Sequence, residues 1–217
     1  IVDAHWYTVA ADAERKTASL YLDYTVTLPV KYQDGMMTAE FTVSRDGVDK
    51  VRSTQTITSH SARVIFNLED VDLWWPRGYG DPALYDARVR ILDVNGNEVD
   101  SDSRKIGLRT VSLDMTGTNS EEAPGRFCFI VNGEKIYVHG SNWTPMDAFH
   151  SRDAAHLEKA FAIARDLNCN MLRCWGGNVY EDDMLYDYCD DHGIMVWQDF
   201  IMGCALYPQD EDFKSRL

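Results

Sequence analysis

The hydrophobic pattern changes its period partway along the chain, and this change limits the fold more than any other feature. Up to residue 113 apolar residues alternate with polar ones, as at Leu20, Leu22 and Tyr24. From Tyr137 onward, short apolar runs alternate with segments whose apolar residues recur every three or four positions. A period of two predicts half-buried strands, and a period near 3.6 predicts amphipathic helices. The sequence therefore predicts an all-β domain followed by an α/β unit.

Residues 1–113 are predicted to form an antiparallel sandwich of about seven strands. Runs rich in Thr, Val and Ile are separated by turn signals such as Asp46-Gly47 and Asn95-Gly96. The clearest runs are Thr17–Leu28, Thr38–Ser44, Lys50–Thr58, Ala62–Leu68, Leu84–Val94 and Glu98–Ile106. These runs lack the Cys-Trp-Cys pattern of antibody domains, so the sandwich need not be of that type.

A turn-rich segment separates the predicted all-β domain from the predicted α/β unit. Residues 114–126 carry almost no bulky apolar side chains and are predicted to be a linker. The next residues, Phe127–Val131 and Lys135–Val138, flank Asn132-Gly133, which is a strong hairpin signal. We assign residues 127–217 to the second domain.

The second domain is predicted to be a βαβαβ unit with parallel strands. The predicted strands are Ile136–Gly140, Asn170–Trp175 and Ile194–Trp197, and the predicted helices are Ser151–Leu167 and Glu181–His192. Ser151 is the expected N-cap of the first helix, and Gly193 is expected to end the second. Right-handed crossovers would place the three strands side by side.

Charge and composition exclude several classes of partner. The net charge of −14 is divided equally between residues 1–125 and residues 126–217. Nucleic-acid binding needs clustered Lys and Arg, and no such cluster is present. No apolar run is long enough for a membrane span. The charge balance suits a neutral ligand.

Metal and disulfide frameworks are not expected either. The six histidines show no metal-type spacing, so we predict no metal site and no cofactor. Five cysteines without a Cys-x-x-Cys pair are predicted to be buried free thiols.

Unusual residues follow all three predicted parallel strands. The first strand leads to Asn142 and Trp143, the second to Arg173 and Trp175, and the third to Trp197 and Asp199. Ligands of parallel α/β units bind beyond the carboxyl ends of the strands. A pyranose packs its C–H face on an aromatic ring and its hydroxyls on polar side chains, so this grouping favours a sugar site.

Each residue also has a plainer interpretation. Any single Trp is more often a core residue, and Asp199 could cap a following helix as readily as it could act as a functional carboxylate. Arg173 lies in a buried-type strand and needs an anion, which either Asp199 or a catalytic carboxylate elsewhere could supply. Glu181 is most simply a first-turn residue of its helix.

Five motifs together resemble the β-mannosidases of glycoside hydrolase family 2. They are Leu73-Trp74-Trp75-Pro76-Arg77-Gly78-Tyr79-Gly80, Ile106-Gly107-Leu108-Arg109-Thr110-Val111, Gly140-Ser141-Asn142-Trp143-Thr144-Pro145, Met171-Leu172-Arg173-Cys174-Trp175-Gly176-Gly177 and Val196-Trp197-Gln198-Asp199-Phe200. The resemblance implies a mixed fold: an immunoglobulin-like sandwich followed by the first three strands of an incomplete (β/α)₈ barrel.

The resemblance further implies a retaining exo-glycosidase that removes terminal β-linked mannose with two glutamates. In the family these glutamates follow the fourth and seventh barrel strands, so we expect both beyond Leu217 and none in this chain. A fragment of this kind would be inactive alone.

The resemblance also implies roles for the strand-end residues. Arg173 matches the arginine near the nucleophile, and Trp175 matches a residue of the mannose subsite. Asn142, Trp143, Trp197 and Asp199 match the same face. The galactosidase branch holds magnesium near the position of Asp199 with a nearby His, and no His follows Asp199 here, so no metal is implied.

The expected partner is therefore a mannose-containing oligosaccharide. A non-catalytic carbohydrate-binding or structural module remains an alternative, as does a β-galactosidase, β-glucuronidase or exo-glucosaminidase specificity. An incomplete barrel would self-associate through its open edge. Family members are often periplasmic or secreted in bacteria and lysosomal in eukaryotes, and the sequence does not choose among these compartments.

Overall fold

A computed structural model of the chain describes residues 1–28, 36–117 and 125–216. The chain divides into two compact units, Ile1–Tyr137 and Val138–Leu217. The first unit is built from antiparallel sheets, and the second contains a parallel sheet with helices. No helix in the described residues is long and apolar enough to cross a lipid bilayer.

Seven strands form the sandwich of the first unit. They are β1 (Asp3–Asp12), β2 (Thr17–Thr25), β3 (Thr38–Arg45), β4 (Val48–Thr56), β5 (Ser61–Leu68), β6 (Leu84–Leu92) and β7 (Glu98–Gly107). One sheet has the order β1-β2-β5, and the other has the order β4-β3-β6-β7. All neighbouring strands are antiparallel. The prediction of about seven antiparallel strands is confirmed.

The core of the first unit lies between these two sheets. Leu20, Leu22 and Tyr24 on β2 are buried, and the intervening residues are only partly buried, as the alternation predicted. From the opposite sheet, Phe41 on β3 packs 5.5 Å from Tyr24 and 6.0 Å from Phe66, measured between ring centroids. Since side chains alternate across a strand, the inward-facing residues of both sheets build this shared core, and Ile57, Val71, Leu73 and Leu108 from the connecting segments join it.

A small third sheet completes the first unit. It has the order β10-β9-β8 and is formed by β8 (Val111–Asp114), β9 (Cys128–Val131) and β10 (Glu134–Ile136). The hairpin predicted around Asn132-Gly133 is present as the β9–β10 pair. Because β9 also pairs with β8, the hairpin lies in the first compact unit, whereas the sequence predicts it in the second domain. Residues 118–124 of the predicted linker lie outside the described residues.

The second unit contains a parallel sheet with the order β11-β12-β13. Its strands are β11 (Gly140–Trp143), β12 (Met171–Cys174) and β13 (Met195–Gln198). Helix α1 (Ala154–Asp166) follows β11 after a short 3-10 helix at His150–Arg152, and α2 (Asp183–His192) connects β12 to β13. A short helix, α3 (Glu211–Lys214), comes last. The predicted βαβαβ order is confirmed.

Three local predictions about this unit are wrong. The first strand begins at Gly140 rather than spanning Ile136–Gly140, because Ile136 pairs with Phe129 in the preceding hairpin. Ser151 does not cap α1, since it lies inside the 3-10 helix and Asp153 occupies the N-cap. Glu181 lies outside α2, whose N-cap is Asp182. Gly193 ends α2 in the left-handed conformation, with φ of 69°, as predicted.

One face of the parallel sheet packs against the two long helices. Trp143, Leu172 and Cys174 from the sheet share a buried cluster with Phe161 on α1 and Leu185 on α2. Trp143 stacks on Phe161 at 5.8 Å between ring centroids. The opposite face of the sheet carries Asn142, Arg173 and Trp197.

Candidate functional site

Strand register determines which of the predicted site residues share a face. Asn142 is the register partner of Arg173, and Arg173 is the partner of Trp197. Partners in adjacent strands project to the same side of a sheet, so these three side chains form one row across its free face. Trp143 belongs to the neighbouring row with Cys174, which faces the helices.

Arg173 and Asp199 form the centre of the site. The Nη2 of Arg173 donates to Oδ2 of Asp199 at 2.6 Å, and its Nε lies 3.3 Å from Oδ1. The Nη1 of Arg173 donates to Oδ1 of Asn142 at 3.3 Å. Of the two anions that the sequence left open for Arg173, the structure shows Asp199 in a bidentate pair with it. No helix begins at Asp199 in the described chain, so its carboxylate serves the sheet end rather than a helix cap.

The Arg173 side chain keeps some hydrogen-bonding capacity. A guanidinium has five N–H groups, and the contacts with Asp199 and Asn142 use one on Nε and one on each Nη. One N–H on each Nη thus remains without a partner among the described residues. Since 41% of the Arg173 side chain is exposed, those donors lie where hydroxyl or carboxylate oxygens of a ligand can reach them.

Asp199 is held in its ionised form by several donors. The hydrogen bond from Arg173 is the largest cause of a lowered Asp199 pKa, and the Gly176 N–H and the Trp197 side chain lower it further. The Gly176 nitrogen lies 3.2 Å from Oδ2 of Asp199. The carboxylate therefore ties the end of β12 to the residues that follow β13.

Glycines allow the loop after β12 to pack closely against the segment after β13. The Gly203 nitrogen donates to the Gly176 oxygen at 2.9 Å. A Cβ at Gly176 would lie 2.5 Å from the Phe200 oxygen, and a Cβ at Gly177 would overlap the ring of Trp175. Only glycine leaves room for these contacts, and Gly177 in particular leaves room for the Trp175 ring.

The three tryptophans predicted for the ligand face do not have equal exposure. Trp175 is 40% exposed and Trp197 is 37% exposed, so both offer indole surface to a ligand. Trp143 is only 5% exposed, because its ring packs on Phe161 and its Nε1 donates to Oε1 of Glu181 at 3.0 Å. Trp143 supports the site from the core side and offers almost no surface of its own.

Two polar residues near the site have side chains whose burial the sequence did not predict. Glu181 is partly buried, and this burial raises its pKa, while the Trp143 hydrogen bond opposes the shift. The side-chain amide of Asn178 is buried, and neither its nitrogen nor its oxygen has a hydrogen-bond partner among the described residues. The contact of Glu181 with Trp143 had one sequence signal. Glu181 lies just before α2, and a side chain at that position can turn back toward the sheet.

Three comparisons place the chain among known proteins. The family model described as "Glycosyl hydrolases family 2" matches residues 1–109. The β-mannosidase B of Aspergillus flavus is 39% identical over 171 residues, which cover 78% of this chain and 20% of that protein. The β-mannosidase of Bos taurus is 43% identical over 147 residues, which cover 67% of this chain and 16% of that protein.

A solved structure extends the similarity over the whole chain. The crystal structure of the β-D-mannosidase from Dictyoglomus thermophilum matches with a TM-score of 0.85 and 29% sequence identity. The match covers 100% of this chain and 26% of that one. The chain thus spans about a fifth of the length of the curated relatives and about a quarter of the solved relative.

Proposed function

Because this chain belongs to glycoside hydrolase family 2, we propose that it forms part of the mannose site of a retaining exo-β-mannosidase. In this proposal the parallel sheet β11-β12-β13 is the beginning of a (β/α)₈ barrel, and its free face is the barrel interior. The substrate is an oligosaccharide with a terminal β-linked mannose. Homologues named β-mannosidase support this assignment.

The observation that carries the proposal is the position of Arg173. Its guanidinium is fixed by Asp199 and Asn142 in a row that also contains Trp197, and Trp175 comes directly after the strand that carries Arg173. The exposed indoles of Trp175 and Trp197 suit the apolar C–H face of a pyranose. The remaining N–H groups of Arg173 suit hydroxyl oxygens at the edge of the sugar ring.

Hydrolysis in this proposal depends on residues outside the chain described here. A retaining glycosidase needs an acid/base and a nucleophile whose carboxyl groups lie roughly 5–5.5 Å apart. The family resemblance places both glutamates beyond Leu217. Arg173 would lie beside the nucleophile, where its positive charge favours the ionised carboxylate. We therefore propose that residues 1–217 alone bind the sugar without cleaving it.

Sugar titration tests the binding half of the proposal. Mannose and a β-mannosyl disaccharide are titrated into the chain while tryptophan fluorescence is recorded, with galactose and glucuronate as competing candidates. Saturable binding is expected for the mannosides, and it should weaken in Trp175→Ala and Trp197→Ala. Phe149→Ala is the matched control, since Phe149 is a 62% exposed aromatic residue outside the Arg173 row.

The hydrolysis half is tested with an aryl β-mannoside. The unmodified chain should release the aryl group no faster than buffer does, and clear turnover would contradict the proposal. Tighter binding of galactose or glucuronate in the titration would leave the family assignment unchanged and would show that mannose is the wrong sugar. An absence of binding to every sugar would leave these residues with a structural role only.

A further inference from the structure

Three potential metal ligands lie close together in the second unit, where the segment before α1 meets the loop before α2. One nitrogen or oxygen atom from each of His150, Asp153 and Glu181 lies within 4.8 Å of the other two. His150 and Asp153 come from the 3-10 helix and the N-cap of α1, whereas Glu181 comes from the loop before α2. Linear spacing could not reveal this cluster, because the third member arrives from another element.

The side chains of this cluster are already oriented toward one another. Nδ1 of His150 lies 2.9 Å from Oδ2 of Asp153, and the other oxygen of Asp153 accepts from the Asp147 nitrogen at 2.8 Å. Oε1 of Glu181 is fixed by the Trp143 indole. Asp153 is only 3% exposed and Glu181 is partly buried, whereas the His150 side chain is 32% exposed, so an ion could reach the cluster from the His150 side.

The cluster contains more carboxylates than groups that can carry a positive charge. Asp182 adds a further carboxylate, with Oδ2 3.8 Å from Nε2 of His150. Three carboxylates therefore surround one imidazole. No Lys or Arg forms an ion pair with Asp153, Glu181 or Asp182 in the part of the chain that the structure describes. Asp182 is 80% exposed, but Asp153 and Glu181 are withdrawn from solvent, and a protonated His150 can neutralise only one of those two carboxylates. Burying the second carboxylate without a cation is costly, and the N-terminus of α2 offsets only part of that cost.

We propose that His150, Asp153 and Glu181 bind a divalent metal ion. One imidazole nitrogen with two carboxylate oxygens is a mixed donor set that suits Zn²⁺ better than the hard ions Mg²⁺ and Ca²⁺. Water would complete the coordination. Binding requires the metal-facing nitrogen of His150 to be unprotonated, so the metal displaces a proton there. The ion would join the segment before α1 to the start of α2 and secure Glu181, which in turn holds Trp143.

Calorimetric titration of the reduced chain with Zn²⁺ tests this site. We expect one ion per chain, and at least tenfold weaker binding in Glu181→Gln and in His150→Gln. The amide oxygen introduced by Glu181→Gln can still accept from Trp143, so that variant removes the charge with little change in packing. His156→Ala is the control, because His156 is an exposed histidine on α1 whose Nε2 lies 3.8 Å from Asp147, and its loss should leave the affinity unchanged.

Several results would overturn the metal site. One is the absence of saturable Zn²⁺ binding, and another is an affinity that both cluster substitutions leave unchanged. Equal affinity for Ca²⁺ would show that the assigned class of ion is wrong. Co²⁺ substitution separates thiol binding from this site, because a sulfur-to-metal charge-transfer band would place the ion at a cysteine. Circular dichroism of each variant distinguishes lost ligands from lost folding.

Discussion

The Arg173 guanidinium and the Asp199 carboxylate form a two-point contact across the end of the parallel sheet, with Nη2 and Oδ2 2.6 Å apart. The two residues lie on and just after neighbouring strands, and Asp199 also accepts the Gly176 N–H. This carboxylate therefore orients both the cation and the loop that carries Trp175. A change at Asp199 should consequently affect both sugar binding and the stability of this unit.

Replacing Asp199 with Asn should weaken sugar binding by about tenfold, because a charged hydrogen-bond network loses its anion. Arg173 would lose its fixed orientation, and the Gly176 loop would lose one anchor. Fluorescence titration with a β-mannoside measures the change. Asp187→Asn, at an exposed position on α2, is the matched control and should bind like the original chain. Equal affinities for both variants would contradict the positioning role of Asp199.

The stability that Asp199 contributes should disappear at acid pH. Its pKa is lowered in the folded chain, mainly by the Arg173 hydrogen bond, so the unfolded chain binds this proton more readily. The contribution is complete above the ordinary aspartate pKa of about 4 and is lost as the pH falls through the lower folded-state value. Denaturant unfolding at several pH values, compared with Asp199→Asn, isolates this group. The stability difference between the two chains should shrink below pH about 4.

Introducing a side chain at Gly177 should displace Trp175. The added Cβ overlaps the indole ring, and overpacking of this kind costs about 1–3 kcal/mol. Gly177→Ala should therefore lower the free energy of unfolding and shift the tryptophan emission. The double variant Gly177→Ala with Trp175→Ala checks the cause, because the cost of the alanine should vanish once the ring is absent. If the two substitutions changed the free energy of unfolding additively, a clash between the added Cβ and the Trp175 ring would be excluded.

The thiols should differ sharply in reactivity. Cys204 is exposed, whereas burial raises the pKa of Cys174 to about 11 and that of Cys189 to about 12. A thiolate-specific reagent at a pH of about 8 should modify Cys204 rapidly and reach the two buried thiols only after unfolding. Cys204→Ser should remove the fastest phase and leave the slower reaction of the partly buried Cys128. The exposure of Cys204 also shows that the prediction of uniformly buried thiols is wrong at this position.

The second unit should associate with copies of itself. Within the described residues β11 and β13 each have a strand partner on one side only. The segment after β13 exposes Phe200 at 82% and Leu206 fully. Unpaired strand edges beside apolar side chains favour association. Light scattering should give a mass above that of the monomer, and Phe200→Ser with Leu206→Ser should lower it. A monodisperse monomer at high concentration would contradict this prediction.

Much of the fold could be predicted because it follows from local periodicity. The alternation in β2 indicates a half-buried strand whatever its neighbours are, and Gly193 indicates a helix end through its own backbone preference. Predictions failed where a neighbour from elsewhere in the chain decided the outcome. Ile136 was assigned to the wrong strand because its hairpin pairing with Phe129 outweighed its apolar context.

The candidate site, too, could be predicted from local patterns only in part. The sequence by itself determined that Asn142, Arg173, Trp175, Trp197 and Asp199 lie at the carboxyl ends of successive strands, because strand order and direction follow from the βαβαβ pattern. Only the tertiary structure decided that Trp143 packs into the core while Asn142 beside it lies on the opposite face and contacts Arg173. The reason is that adjacent residues of a strand point to opposite faces, and the pairing register and the packed helices select which face is buried.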